Sequence, residues 1–359
     1  MGTLKSGPSA GGQDGKIRVW FGSYDREPGC GGIYAAELDE TAGQLSEPKR
    51  VAEVANPNFL AFSRDHQFLY AVCGAAEDSL AAFQTRPAFR ELNRFSGLGK
   101  AVCHLALDPT EQNLVTVHYA SSDFALFALN ADHSLAGETQ RQKLEGSGPN
   151  ARRQSCPHPH SVWFWEGNRF YVPDLGTDKI RIWQLDSARH TFVPNDPPFA
   201  QAAAGSGPRH LCFLRGQRTA FSSDELSNTV TAWHVDESGA LEPFETHSIL
   251  PPGWKPATPD TTAEVACTPD ERFLYVSNRG SDTLTSFRIA QDGSLTLLEI
   301  VSAHGQFPRH FAISPDGRFL LTANQKSGSV SLFAIQDSGR LTFLASQPLP
   351  VSPVCVLFD

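Results

Sequence analysis

The chain has 359 residues, of which 40% are hydrophobic and 19% are charged, and it contains 24 Phe and 6 Trp. This composition predicts an ordinary soluble globular protein with a large core. The formal net charge of −9 and the lack of a basic stripe exclude general binding to nucleic acids or anionic membranes, so any anion site must be local.

The chain begins with a segment rich in Gly and Ser, Met1 to Lys16, which lacks the apolar region of a signal peptide. We predict a disordered tail over residues 1–16 and a single domain over residues 17–359. No stretch of about 18 apolar residues follows. The seven cysteines are scattered and lack C-x-x-C spacing, which predicts neither a disulfide framework nor a zinc site. We therefore expect a reducing, cytoplasmic location.

Three predicted strands follow the tail: "IRVWFGSY" from Ile17, "GIYAAEL" from Gly32 and "LSEPKRVAEV" from Leu45. Another type of strand then recurs seven times along the chain. We mark each copy by its second residue, and the markers are Phe59, His104, His160, His210, Glu264, His310 and Cys355. Successive markers are 45, 56, 50, 54, 46 and 45 residues apart. Periods near 40 to 50 residues are typical of propeller blades.

Two of the repeats align without a gap, one starting at Thr262 and the other at Pro308. Each has the pattern strand, Pro-Asp turn, strand, polar turn, strand, Gly-containing turn, strand, with apolar and β-branched residues in alternation. The pattern predicts four antiparallel strands, A to D, in each blade.

The two ends of the chain complement each other. The seventh A strand, "VCVLFD", is followed by no B, C or D strand, whereas the three N-terminal strands have no A strand before them. We predict an all-β, seven-bladed β-propeller in which the C-terminal strand joins the N-terminal three. Such closure removes the free edges of an open array of sheets.

A polar cluster is predicted at one end of the central channel, because the start of strand A and the end of strand B share a face. Four of the seven A-strand markers are His, namely His104, His160, His210 and His310, and one is Glu264. Arg209 and Arg309 precede two of the His markers. Counting along the repeats places Glu225 and Arg279 at the ends of neighbouring B strands. This concentration of titratable groups predicts a functional site.

Structural interpretations compete with this one. His104, His210 and His310 occupy repeated positions and are favoured as hydrogen-bond partners of the neighbouring blade's backbone. His160 differs, because it lies in "CPHPHS", where two prolines and His158 indicate a rigid loop. A network of salt bridges would account for the charged residues equally well. A metal held by the His ring and Glu264 is disfavoured, because nearby arginines would repel a cation. No metal and no cofactor are therefore predicted.

Longer segments carry a family resemblance: "HPHSV", "YVPDLGTDKIRIW", "GSGPRHLCF", "YVSNRGSDTL" and "FPRHFAISPDGRFLLTANQ". They resemble the seven-bladed propeller lactonases, which include propeller-type 6-phosphogluconolactonases and fungal carboxymuconate cyclases. The resemblance spans Ile17 to Asp359. It departs from the family at "AVCGAAED" and "VTVHYASSD", where strand ends with Asn-Glu and Asn-Tyr are expected.

The resemblance implies a catalytic group of His160, Arg209, Glu225 and Arg279. It implies a small anionic lactone as the substrate, with hydrolysis of 6-phosphogluconolactone, a reaction of the pentose phosphate pathway, as the leading activity. Glu225 or His160 would activate water, Arg279 would stabilise the oxyanion, and Arg209 would bind a phosphate or carboxylate. His158, His210, Glu264, Arg309, His310 and His104 are the predicted substrate-binding residues.

Two other functions stay open. In the first, the same groups close a carboxymuconate to its lactone. In the second, the propeller is a non-catalytic interaction module; the lack of a Trp-Asp repeat signature argues against this interpretation.

Overall fold

Strands joined by short turns make up most of the structure, a computed structural model that describes residues 15–27, 29–74, 77–255 and 260–359. In these residues no helix is long and apolar enough to cross a membrane. The predicted tail lies outside the described residues except for its last two, and the first strand already begins at Lys16.

The 29 strands of the described chain fall into four classes by their position in a blade. The inner strands A are β5 (Pro57–Phe62), β9 (Val102–Leu107), β13 (Trp163–Trp165), β17 (Pro208–Leu214), β21 (Thr261–Cys267), β25 (Pro308–Ile313) and β29 (Ser352–Phe358). The B strands are β1 (Lys16–Tyr24), β6 (Phe68–Cys73), β10 (Asn113–His118), β14 (Arg169–Asp174), β18 (Thr219–Asp224), β22 (Phe273–Arg279) and β26 (Phe319–Asn324).

The C strands are β2 (Ile33–Asp39), β7 (Ser79–Gln84), β11 (Asp123–Leu129), β15 (Lys179–Asp186), β19 (Thr229–Val235), β23 (Thr283–Ile289) and β27 (Ser329–Ile335). The D strands are β3 (Gln44–Leu45) with β4 (Lys49–Ala52), β8 (Arg90–Ser96), β12 (Leu135–Lys143), β16 (Thr191–Gln201), β20 (Leu241–Ser248), β24 (Leu295–Ser302) and β28 (Leu341–Pro348).

The strands form seven antiparallel sheets, each with the order A-B-C-D. In the closing sheet the C-terminal β29 pairs with the N-terminal β1, so that Trp20 lies opposite Leu357 and Phe21 opposite Val356. Here the D position is shared by two short strands, β3 and β4, which both pair with β2. The predicted fold class and its closure by both termini are confirmed.

The core is divided among the interfaces between blades. Seven clusters of buried hydrophobic side chains occur among the described residues, one at each interface between neighbouring sheets. The cluster at the closure joins Phe21 of β1 to Leu321 and Leu332 of the preceding blade. Burial of these side chains is the main favourable term that holds the ring together.

The turns between strands B and C repeat one backbone feature. The residue just before strand C has a φ between 54° and 61° in five blades, at Ser122, Asp178, Asn228, Asp282 and Gly328. Asp, Asn and Gly tolerate this left-handed conformation better than other residues. These turns therefore place the ends of the B strands in nearly the same way at one face of the propeller.

The inner strand of the third blade is the shortest of its class. Only Trp163–Trp165 pair as a strand with β14, although the sequence predicted a strand from Pro159. Pro159 makes one isolated bridge to Asp174, and the His160 amide donates to the Pro173 carbonyl at 3.0 Å. Proline lacks the amide proton that a ladder needs. The segment before β13 is therefore a shaped loop, as the two prolines indicated.

A hydrogen-bond network within the fourth blade leads to our first prediction. The Trp233 indole donates to Ser222 Oγ at 2.9 Å, and Ser222 Oγ donates to the buried Asp224 at 2.8 Å. The variant Ser222→Ala leaves the indole N–H unpaired, and we expect it to lower the free energy of unfolding by about 1–3 kcal/mol. Urea denaturation followed by Trp fluorescence measures this change. The control Ser96→Ala, at an exposed position of β8, should stay within about 0.5 kcal/mol; equal effects of the two variants would contradict the prediction.

Candidate active site

A cavity of about 520 Å³ opens at the channel end where the B strands finish. Every blade contributes to its wall, from Tyr24 of the closing blade and Asn58 of the first blade to Arg309 of the sixth. His160, Glu225 and Arg279 lie on the same wall. The structure therefore brings four predicted site residues, His160, Glu225, Arg279 and Arg309, to one concave surface.

Glu225 is the centre of an ion-pair cluster. It follows β18, and its amide donates to the Gly207 carbonyl at 2.8 Å. Its Oε2 lies 2.7 Å from Arg279 Nη2 and 3.2 Å from Arg209 Nε, and its Oε1 lies 2.5 Å from Arg153 Nη2. The side chains of Glu225 and Arg209 are only 5% and 2% exposed. One carboxylate thus holds three guanidinium groups.

Two of these arginines are fixed by backbone carbonyls of the fifth blade. Arg209 Nη1 donates to the Ala263 carbonyl at 2.9 Å, and Arg279 Nη2 donates to the Thr262 carbonyl at 3.0 Å. Arg209 lies behind Glu225 and is not part of the cavity wall. The structure therefore places Arg209 against Glu225 and outside the cavity wall.

The arginines determine the charge of Glu225. Burial by itself would raise the pKa of this carboxyl, but Arg279, Arg209 and Arg153 outweigh it and lower the pKa to about 2. Burial and the neighbouring arginines lower the pKa of Arg209 to about 9. Glu225 is consequently a carboxylate at every physiological pH and a poor proton acceptor.

His160 has the opposite character. Its side chain is buried, and its Nδ1 has no hydrogen-bond partner among the described residues. Burial, followed by the charges of Arg209 and other neighbours, lowers the pKa of His160 well below its ordinary value. The imidazole is therefore neutral at pH 7, with an unpaired nitrogen on a residue that lines the cavity.

The other predicted His residues and Glu264 form a buried layer outside the cavity wall. Glu264 Oε2 lies 3.0 Å from His210 Nδ1 and 3.2 Å from His310 Nε2. The ring of Phe59 lies 4.0 Å from that of His104, centroid to centroid. Burial raises the pKa of Glu264 and lowers the pKa of His310 to about 4. These side chains close the channel and do not line the cavity.

The backbone partners of this layer agree with the structural interpretation for two residues. His104 Nδ1 accepts from the Val162 amide at 3.4 Å, and His310 Nδ1 accepts from the Val356 amide at 3.2 Å. Both amides belong to the next blade. His210 differs, because it contacts a side chain, Glu264, instead of the backbone.

His158 lies beside the cavity wall, where its ring stacks on Tyr119 with centroids 4.2 Å apart. Its Nδ1 is 3.0 Å from the Tyr119 carbonyl. Tyr119 itself lines the cavity, as does Asp78. Both lie in the two segments that depart from the family pattern, so the first two blades also contribute polar groups to the site.

Arg153 is the residue that sequence reasoning missed. The loop between β12 and β13 carries it, and the neighbouring Gln154 anchors that loop by donating to the Leu175 carbonyl at 2.9 Å and to Asp178 Oδ1 at 2.7 Å. The sequence signal that could have revealed this loop is the interval of 56 residues between His104 and His160, which is the longest interval between successive A-strand markers. The additional residues belong to the loop that carries Arg153 to the cavity wall.

No group of three or more His, Cys, Asp or Glu side chains in the part of the chain that the structure describes is arranged as a metal site. The wall instead carries Arg153, Arg279 and Arg309 against Glu225 and Asp78. This excess of positive charge suits an anionic ligand.

Comparison with known proteins agrees with the fold. Residues 18–358 match the family described as "Lactonase, 7-bladed beta-propeller". The chain is 32% identical over 305 residues to a 6-phosphogluconolactonase of Bacillus subtilis (strain 168), covering 81% of this chain and 83% of that protein.

Two solved structures are similar throughout. A protein from Lactobacillus plantarum has a TM-score of 0.89 and 30% identity, and covers 96% of this chain and 99% of its own. The periplasmic gluconolactonase PpgL of Pseudomonas aeruginosa has a TM-score of 0.89 and 29% identity, with the same coverage. The family match and these two structures define the class of protein as a seven-bladed lactonase propeller. The chain belongs to the seven-bladed β-propeller lactonase family, as its motifs indicated.

Proposed function

We propose that this protein hydrolyses 6-phosphogluconolactone to 6-phosphogluconate, a reaction of the pentose phosphate pathway. The observation that carries the proposal is a cavity with an excess of arginines whose wall also contains the neutral His160. The similarity to the Bacillus subtilis 6-phosphogluconolactonase supports the choice of substrate.

In the proposed mechanism His160 is the general base. Its imidazole accepts a proton from water as the water oxygen attacks the lactone carbonyl carbon. Glu225, with a pKa of about 2, is too weak a base for this step. Because positive neighbours lower the pKa of His160, an anionic substrate that offsets their charge raises that pKa and makes the imidazole a better acceptor.

Arg279 stabilises the oxyanion of the tetrahedral intermediate in this scheme. Glu225 fixes the Arg279 guanidinium through its 2.7 Å contact. When the ring C–O bond breaks, the imidazolium of His160 returns its proton to the ring oxygen, which leaves as a hydroxyl group. His160 is then neutral again, and the product carries a new carboxylic acid, which releases its proton to solvent and becomes a carboxylate.

The test is turnover of freshly generated 6-phosphogluconolactone, coupled to 6-phosphogluconate dehydrogenase, with EDTA present and spontaneous hydrolysis subtracted. We expect activity well above background that falls about 10²-fold or more in His160→Ala. The control His234→Ala, an exposed residue of β19, should keep wild-type activity. Background rates for the wild-type protein would overturn the proposal, and turnover of a carboxymuconate would then indicate the cyclase.

We also propose a cytoplasmic location, which a pair of thiols can test. Cys212 and Cys267, on the inner strands of two adjacent blades, have their sulfur atoms 3.2 Å apart, and both are free thiols. Such a pair stays reduced in the cytoplasm but is oxidised in an oxidising compartment. We expect both thiols to be alkylated when cells are quenched in acid and the protein is then denatured and treated with iodoacetamide. A disulfide between them, found by mass spectrometry, would contradict a cytoplasmic location.

A further inference from the structure

Arg309 differs from the other arginines of the candidate active site in lacking a carboxylate partner. Arg153, Arg209 and Arg279 all contact Glu225. Arg309 lines the cavity, and no ion pair or hydrogen bond links its guanidinium to another residue in 15–27, 29–74, 77–255 or 260–359. A guanidinium that is partly buried and unpaired is unfavourable unless a ligand or solvent compensates it.

The environment of Arg309 holds its guanidinium in place. The residue is the second of β25, after Pro308, and its neighbour His310 is fixed in the buried layer. The guanidinium carbon lies 5.9 Å from the centroid of the Tyr24 ring, in the range of a cation–π contact. Tyr24 also lines the cavity. Arg309 and Tyr24 therefore form one side of the cavity, supported by the sixth and the closing blades.

The adjoining wall of the first blade offers acceptors instead of donors. Asn58 is buried, and its Nδ2 is used by donation to the Val102 carbonyl at 2.8 Å. The Asp78 carboxylate accepts from the Val102 amide at 2.9 Å. Both residues line the cavity. This wall suits hydroxyl groups and repels a phosphate dianion.

We infer that Arg309, backed by Tyr24, binds the phosphate group of a phosphorylated sugar lactone and determines the preference for phosphorylated over unphosphorylated substrates. A guanidinium can bind two phosphate oxygens at once, which makes it well suited to this role. The phosphate lies at Arg309, the hydroxyl groups face Asn58 and Asp78, and the lactone carbonyl lies between His160 and Arg279. This inference rests on the proposed lactonase function for the position of the carbonyl.

The binding experiment uses the stable products and is independent of turnover. Isothermal titration calorimetry compares 6-phosphogluconate with gluconate on the wild-type protein and on Arg309→Gln. We expect Arg309→Gln to weaken 6-phosphogluconate binding about 10- to 100-fold and to change gluconate binding less than about 3-fold. The control Lys326→Gln removes an exposed charge from the same blade and should change neither.

Two further measurements complete the test. Arg309→Lys keeps the charge but loses the two-pronged geometry, and it should recover only part of the lost affinity. In the turnover assay Arg309→Gln should raise KM for 6-phosphogluconolactone with little change in kcat, since it removes binding common to the ground and transition states.

The outcomes separate the two proposals. An equal loss of affinity for both products, or no loss for either, in a folded Arg309→Gln variant would overturn the phosphate site. Background turnover by a wild-type protein that still binds 6-phosphogluconate through Arg309 would instead overturn the proposed hydrolysis and leave the phosphate site standing.

Discussion

Replacing Glu225 by glutamine is expected to lower the free energy of unfolding at pH 7 by about 3–5 kcal/mol and to reduce lactone turnover by at least about 10²-fold. Glu225 is the carboxylate that holds Arg153, Arg209 and Arg279. A neutral amide can accept hydrogen bonds from them but cannot offset their charge. Two of the three guanidiniums are almost completely buried, so their mutual repulsion is poorly screened by solvent.

The pH dependence of stability provides a second measure of the same interaction. The pKa of Glu225 falls from an ordinary value of 4.5 to about 2 on folding. Such a depressed pKa contributes about 3 kcal/mol of stability at neutral pH. This contribution is complete above about pH 4.5 and is lost as the pH falls toward 2. The difference in unfolding free energy between wild type and Glu225→Gln should therefore shrink in acid, and guanidinium chloride denaturation at pH 7, 5, 4 and 3 measures it.

Glu264 provides the matched control for this prediction. It lies on the adjacent inner strand, β21, and is equally buried, but its pKa is raised by burial. A carboxyl with a raised pKa favours the folded state most below its unfolded pKa, and that contribution is lost as the pH rises. Glu264→Gln should therefore cost less than about 1 kcal/mol at pH 7. An effect at Glu225 no larger than that at Glu264 would contradict the role of Glu225 as a shared counter-ion.

The sequence could reveal the fold because each blade repeats the same local pattern. Alternating apolar residues mark which side of a strand is buried, and the missing strands at the two termini indicate closure. The start of strand A and the end of strand B then converge by geometry alone, which is how Glu225 and Arg279 were brought together. Such reasoning needs only the period of the repeat and the direction of the strands.

The repeat pattern could not show how deeply a side chain lies within the channel. Arg209 and Arg309 occupy equivalent positions in two blades, yet one is buried behind Glu225 and the other lines the cavity. The difference comes from the partners: Arg209 reaches a carboxylate at the end of its own blade's B strand, whereas the equivalent position in the sixth blade is Gln325. The direction of a long arginine side chain depends on the charged groups near it, and the repeat pattern does not specify those groups.

Loops limited the prediction of the site for a related reason. Arg153 reaches Glu225 from a connection between blades, across 72 residues of sequence. No periodic pattern covers this loop, and its conformation depends on Gln154 bonding to the next blade. Residues that approach a site from outside the repeat are visible only once the tertiary structure is known.

Arg279→Lys is expected to lower kcat for 6-phosphogluconolactone about 10²- to 10³-fold while KM changes little. Arg279 is 6% exposed, and its guanidinium contacts Glu225 and the Thr262 carbonyl through the same nitrogen, Nη2. Its guanidinium carbon also lies 5.2 Å from the centroid of the Phe307 ring. Its Nε also donates to the Thr261 carbonyl at 3.5 Å, so these contacts fix the planar group and leave Nη1 for the oxyanion. Lysine keeps the positive charge but cannot hold several donors in fixed directions.

The division between kcat and KM distinguishes the possible roles of Arg279. A group that stabilises the oxyanion acts only in the transition state, so its loss lowers kcat and kcat/KM together. A group that binds the ground state instead raises KM, as is expected for Arg309. The control Arg272→Lys changes an exposed arginine that packs on Phe273 and should leave both constants unchanged. A rise in KM at constant kcat in Arg279→Lys would move Arg279 from oxyanion stabilisation to substrate binding. The oxyanion would then need another donor, such as Arg153 on the same wall.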